Sequence, residues 1–278
     1  MDQATRARHF RDLHASGTFV IANAWDGGSA RVLGSLGFAA LATSSGAAAG
    51  VLGRLDHGIT LQESLANAKL ICDSTDLPVS ADLEKGFGDA PADAARAITR
   101  AAEIGLVGGS IEDATGVKDA PVFPLTLAAE RIAAAVEAAR SLPFPFTLTA
   151  RAENFLNGRA DLDDTIQRLQ AFERAGADVL FAPALPTLEA VRTVCRSLTK
   201  PVNFMVGIPG KSFSVAELAV AGVRRVSLAT SLYRAAMTGL INAAREIRDS
   251  GTFDYLDRMV TSAEFAGYLK KPTPGLPG

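Results

Sequence analysis

Short apolar runs alternate along the chain with longer Ala-rich stretches that carry Glu, Arg and Leu at helical spacing. Eight runs, at 18–23, 39–44, 78–82, 108–112, 145–150, 178–182, 201–206 and 224–228, predict buried strands. The stretches after them predict helices near 28–36, 61–73, 92–103, 126–139, 161–175, 187–198, 214–221 and 231–248. A helix over 3–14 is placed to close the bottom of such a structure, and 253–257 and 262–269 read as short extra helices. The segment 270–278, with Pro272, Pro274 and Pro277, is expected to be a mobile tail.

Gly37, Gly105, Gly176 and Gly222 each fall between a helix and the next strand, where glycine is the usual helix stop. Strand then helix, repeated eight times, reads as parallel βαβ units. Closure into a (β/α)8 TIM barrel, one α/β domain over 1–278, uses the units most economically. An open doubly wound sheet is the alternative, but Asn23-Ala24-Trp25-Asp26-Gly27-Gly28 lacks the glycine spacing of its phosphate-binding turn.

Composition narrows the partners. The chain of 278 residues is 48% hydrophobic and 21% charged, ample for a packed core. With 28 basic against 30 acidic residues, the formal charge of −2 offers no footprint for nucleic acid or an anionic membrane. No apolar run reaches the length of a signal peptide or a membrane span, which predicts a cytoplasmic protein. Two cysteines, Cys72 and Cys195, cannot form a disulfide framework and read as small packing residues in a reducing compartment.

In a barrel of this kind the active site lies at the C-terminal ends of the strands. Those ends supply Asn23, Trp25 and Asp26; Ser44, Ser45 and Gly46; Asp82 and Glu84; Glu112 and Asp113; Arg151 and Glu153; then Pro183, Asn203, Ser227 and Thr230. Alternation would aim Asp82 and Glu84 to one side, and Glu112 adds a third acid that repels the others unless a cation sits among them. With no His or Cys at these ends the ligand set is all oxygen, which suits Mg²⁺, or Mn²⁺, better than Zn²⁺. The competing reading has these acids capping helices or pairing with Lys85 and Arg151. Arg151 itself fits either a bidentate grip on a substrate carboxylate or a structural ion pair with Glu153 or Glu112. The turn Ser44-Ser45-Gly46 could offer N–H groups to a small anion. His57, in the loop after the second strand, is expected to be exposed.

Several of these segments, in this order, resemble the isocitrate lyase/phosphoenolpyruvate mutase superfamily. They are Asn23-Ala24-Trp25-Asp26, Thr43-Ser44-Ser45-Gly46, Asp82-Leu83-Glu84-Lys85-Gly86-Phe87-Gly88, Ser110-Ile111-Glu112-Asp113, Thr149-Ala150-Arg151 and Pro201-Val202-Asn203. The resemblance implies a barrel whose last helices swap between subunits, in dimers or dimers of dimers, and Mg²⁺-assisted chemistry on 2-oxo acids through an enolate. It implies that Ser45, Gly46 and Ala47 hold the substrate carboxylate, with Trp25, Asp82 and Asn203 also in the substrate site. Asp82, Glu84 and Glu112 would look after the metal, Asp56 matches a loop acid near it, and Arg151 would bind the carboxylate or enolate oxygen. Asp56, Glu112 and Arg151 form the expected catalytic group.

Family lyases that cleave isocitrate-like substrates carry a cysteine in the loop after the fourth strand. Here that loop, Asp113 through Pro124, holds neither Cys nor His, and Lys118 is its one candidate substitute. The expectation is therefore a lyase or decarboxylase-like enzyme on a small 2-oxo acid, oxaloacetate first. A C–P or C–C bond hydrolase and a non-catalytic 2-oxo acid binder are the alternatives.

Overall fold

The computed structural model describes residues 1–270, so the tail predicted over 270–278 lies, from 271 on, outside the described residues. Eight parallel strands close into a barrel in sequence order. They are β1 (Phe19–Asn23), β2 (Leu41–Ala42), β3 (Val79–Asp82), β4 (Gly108–Glu112), β5 (Thr147–Arg151), β6 (Val179–Phe181), β7 (Val202–Met205) and β8 (Arg225–Ser227). The helices are α1 (Gln3–Leu13), α2 (Gly27–Ser35), α3 (Ser45–Val51), α4 (Leu61–Ser74), α5 (Pro91–Glu103), α6 (Leu125–Arg140), α7 (Leu162–Arg174), α8 (Leu188–Arg196), α9 (Val215–Ala221), α10 (Ser231–Ser250) and α11 (Ser262–Leu269). The predicted barrel is thus the observed one, and the open-sheet alternative is excluded by the β1–β8 pairing.

Small side chains let the layers approach closely. Ala94, Ala97, Ala101, Ala128, Ala135 and Ala139 of α5 and α6 are buried against the barrel, where each costs little side-chain entropy to order. The four helix-ending glycines adopt φ between 86° and 102°, the left-handed conformation that stops a helix.

The bottom is plugged by α1. Phe10 is fully buried, and a Cβ on Gly108 would stand 2.7 Å from its Cε1, so β4 needs glycine there. Gln3 Nε2 donates to the carbonyls of Ala102 and Leu106, pinning the start of α1 beneath α5.

Two local expectations are corrected. The run after β2, read as a turn, is the helix α3; Ser44 caps it by accepting from the Ala47 N–H, and its small residues give no helical hydrophobic period to read. The strand expected over 145–150 runs instead over Thr147–Arg151, and Arg151, expected at the strand end, is its last residue, its Cα paired with that of Glu112 on β4.

Candidate active site

At their C-terminal ends β3, β4, β5 and β6 finish in Asp82, Glu112, Arg151 and Phe181; Arg151 pairs with Glu112 on one side and Phe181 on the other, while Asp82 pairs with Ser110. Arg151 stands among the acids. Its Nη1 lies 2.9 Å from Asp82 Oδ1, and its Nη2 lies 3.1 Å from Glu112 Oε2 and 2.9 Å from Glu153 Oε1. Nε donates a second bond to Glu153 at 2.9 Å. The guanidinium carbon sits 5.1 Å from the centre of the Phe181 ring, a cation–π contact that supports the plane of the fork.

Three carboxylates around one guanidinium leave surplus negative charge. Burial opposes the charge on Arg151, but Glu153, Glu112 and Asp82 together outweigh it and raise its pKa further. Burial pushes the Glu112 carboxyl up to about 8 against the pull of Arg151, and burial raises Glu153 as well. Asp82 goes the other way: burial acts against its charge, yet Arg151 and the N–H groups of Ser45 and Glu84 hold its pKa below the usual value. The Ser45 N–H donates to Asp82 Oδ2 at 3.1 Å, so the start of α3 is tied to β3.

Asp82 and Glu84 do not point the same way, which corrects the alternation argument. The strand ends at Asp82, and Glu84 takes φ of 49°, a left-handed conformation that breaks the period of two. Glu84 Oε2 accepts from His57 Nδ1 at 3.1 Å, while Glu84 Oε1 is buried with no hydrogen-bond partner. This bond raises the His57 imidazole to about 9. Asp56, His57 and Glu84 each offer a ligand atom within 4.8 Å of the others, so a divalent cation fits this group and would satisfy the orphaned Glu84 oxygen. His57 is exposed as expected, but its place beside Glu84 adds a nitrogen to a donor set expected to be all oxygen.

Two cavities meet at Arg151. One, about 230 Å³, descends into the barrel and is lined by Ser45, Asp56, Asp82, Asn203 and Thr230 among others. The other, about 830 Å³, opens over His57, Glu84, Glu112 and Glu153. Gly46 lies just behind the first: a Cβ there would come within 2.9 Å of Thr230 Cγ2 and 3.0 Å of Asp56 Oδ2. The Ala47 N–H is turned back to Ser44 Oγ at 3.4 Å. Trp25 stands outside the lining of both, edge-on to Tyr233 at 5.7 Å between ring centres.

Other strand-end residues are structural. Asp26 caps α2 by accepting from the Ser29 N–H, and Asn23 bridges the Thr43 carbonyl and the Leu228 N–H. Asp113 accepts from the Glu153 N–H and pairs with the buried Arg168, which fixes Glu153 beside Arg151. Arg131 donates to the carbonyls of Lys85, Gly88 and Ala90 and stacks 4.4 Å from Phe123, holding the Glu84 loop in place. In the loop after β4, Ala114 bridges Val122, and Lys118 is exposed outside both cavity linings. Sequence reasoning named Glu153 as an ion-pair partner of Arg151, which is the contact observed, and gave no role to Phe181 or Arg225. Glu153 was visible as a strand-end acid, while the placement of Phe181 and Arg225 comes only from barrel closure.

A closed parallel barrel that gathers acids and a buried arginine at its strand C-terminal ends has the architecture of a TIM-barrel enzyme. The chain belongs to the isocitrate lyase/phosphoenolpyruvate mutase superfamily: the family model described as phosphoenolpyruvate phosphomutase matches residues 10–248. It is 30% identical over 232 residues to the 2-methylisocitrate lyase of Escherichia coli, covering 80% of this chain and 77% of that one. A crystal structure of a candidate lyase/mutase from Burkholderia cenocepacia shares 49% identity and superposes with a TM-score of 0.94, over 96% of each chain. The structure of an oxaloacetate acetylhydrolase with its product oxalate is 25% identical, with a TM-score of 0.87 over 96% of this chain and 94% of that one. No helix among the described residues is long and apolar enough to cross a membrane.

Proposed function

We propose that the protein is a Mg²⁺-dependent lyase of decarboxylase type acting on a small 2-oxo carboxylic acid, oxaloacetate first. The observation that carries this reading is the Arg151 cluster at the junction of the two cavities, with a cation-fitting acid group beside it. Asp56 and Glu84 would hold the metal, with Asp82 and Glu112 near it, and when bound it supplies Lewis-acid polarisation of the 2-oxo group. Mn²⁺ would serve the same oxygen-rich site.

Arg151 binds the substrate carboxylate or the oxygen on which negative charge develops, and Phe181 keeps its fork in plane. Ser45, at the start of α3, and Asn203, on β7, orient the substrate between them, with Gly46 and Ala47 next along the helix behind. Loss of CO2 from a 2-oxo acid with a carboxylate at the next carbon leaves an enolate, which Arg151 stabilises until water returns a proton. Glu112, whose pKa burial raises, is a further proton source in contact with Arg151. No step calls for a cysteine, in keeping with a loop after β4 that lacks one. Isocitrate or methylisocitrate cleavage is the less favoured activity for that reason.

The similarity to oxaloacetate acetylhydrolase supports one second reading, hydrolysis of the C–C bond between the oxo carbon and its neighbour. Product analysis after incubation with oxaloacetate and Mg²⁺ separates them: decarboxylation yields pyruvate and CO2, hydrolysis yields oxalate and acetate. Binding without either product set would make the protein a non-catalytic 2-oxo acid binder.

A homo-oligomer is part of the same reading. None of the residues of α10 is buried, and Leu240 and Ile241 on it, with Phe253, Leu256 and Phe265 beyond, are exposed. A second copy of the chain, exchanging these helices in a dimer or a dimer of dimers, would cover them. Sedimentation of a monomer at micromolar concentration would remove that part of the reading. Free thiols at Cys72 and Cys195 suit a cytoplasmic setting.

A further inference from the structure

The interior of a TIM barrel is ordinarily filled with branched apolar side chains. Here Ser80, Ser110, Asn203 and Ser227 face a cavity of about 230 Å³ that runs from Arg151 down to Arg225, the first residue of β8. Arg225 is only 5% exposed, and among the described residues no carboxylate forms an ion pair with it. Its partners are all neutral. Nε donates to Asn203 Oδ1 at 2.8 Å, Nη2 donates to Thr149 Oγ1 at 2.9 Å, and Nη1 lies 3.4 Å from His14 Nε2.

His14 cannot be the missing counter-charge. Its Nδ1 bonds the Phe10 carbonyl, which leaves Nε2 as the acceptor, and burial holds the ring neutral, with a pKa of about 3. A buried guanidinium that has lost its water and gained no anion is costly to keep. Burial alone lowers Arg225 to about 9, still charged at neutral pH. Such a cation, lining a cavity that opens to the catalytic mouth, has the chemistry of an anion subsite with donors left over.

We propose that Arg225 binds the distal carboxylate of a dicarboxylic substrate whose other end is held at Arg151. The proposal rests on the reading of the mouth as a 2-oxo acid site and adds the residue that reads the second carboxylate. Thr149, which Arg225 touches, and Arg151 are two residues apart on β5 and face the same side, about 7 Å along the strand. That separation suits a short diacid lying along the barrel axis. Asn203, tied to both Arg225 and Ser227, positions the fork and offers its own amide to the same carboxylate.

The test is calorimetric titration of the full chain, in Mg²⁺, with acids matched in carbon skeleton: 2-oxoglutarate against 2-oxopentanoate, and succinate against butyrate. The expected result is binding of at least one diacid about tenfold or more tighter than its monoacid, a preference that Arg225→Gln reduces to within about twofold. Thr149→Asp, which would give Arg225 a counter-ion of its own, should erase the preference with Arg225 still present. If the unaltered protein binds the monoacids equally well, or if the preference survives Arg225→Gln, the proposal is overturned and the reading of the mouth stands. If it binds neither acid of either pair, both fail. Absence of a diacid preference in the unaltered protein overturns the proposal even if the variants do not fold.

Discussion

Arg151 on β5 reaches past β4 to place its Nη1 2.9 Å from Asp82 Oδ1 on β3, so one ion pair ties together strands that are not neighbours in the sheet. The same guanidinium also meets Glu112 on the strand between and Glu153 just beyond its own. This bond network needs a planar fork, because a single ammonium cannot face three carboxylates in these directions at once. Arg151→Lys should therefore weaken 2-oxo acid binding by more than about tenfold, or 1.4 kcal/mol. Titration calorimetry reads it, and an unchanged affinity would show that Arg151 serves only as a structural ion-pair partner.

Asp82 has two duties, pairing Arg151 and accepting the Ser45 N–H at the start of α3. Asp82→Ala should abolish the metal-dependent rise in melting temperature that a 2-oxo acid produces. Thermal denaturation with and without Mg²⁺ checks this. A shift as large as that of the unaltered protein would take Asp82 out of the metal-linked site.

Gly46 is held between Thr230 and Asp56 with no room for a methyl group. In an exposed helix Gly→Ala would stabilise by roughly 1 kcal/mol, but here the added Cβ must push Asp56 or Thr230 aside. Gly46→Ala is expected to lower Mg²⁺ affinity or turnover by about tenfold, the size of a small displacement in a preorganised site, and to leave the far-ultraviolet circular dichroism unchanged. Equal activity in the variant would mean that the position of Asp56 is immaterial.

His14 sets an acid limit on stability. Its folded pKa, near 3, lies below the 6.5 of an unhindered histidine, because burial and Arg225 disfavour the charged ring. Between these values the unfolded chain takes up a proton that the folded one refuses, so stability falls as pH drops through this window and is level above it. The full effect is on the order of 4 kcal/mol by pH 3. Urea midpoints measured from pH 7 to pH 4 should decline less steeply in His14→Gln than in the unaltered protein; parallel slopes would assign the acid sensitivity elsewhere.

The sequence by itself determined the barrel, because apolar runs followed by Ala-rich helical stretches recur eight times, and each half of a unit is a local pattern. It also named nearly every acid and the arginine at the mouth, since a residue that closes a parallel strand must lie at that end. The chain did not reveal which acid meets which partner. Glu84 parts from Asp82 through one left-handed backbone angle, His57 comes to it from another loop, and Phe181 arrives under Arg151 only when β6 pairs with β5. Arg225 reads in sequence as one of two adjacent arginines, Arg224 and Arg225, opening a strand. Only closure of the barrel turns one outward to the Gly17 carbonyl and the other inward, because burial and charge pairing are set by residues brought together from distant strands.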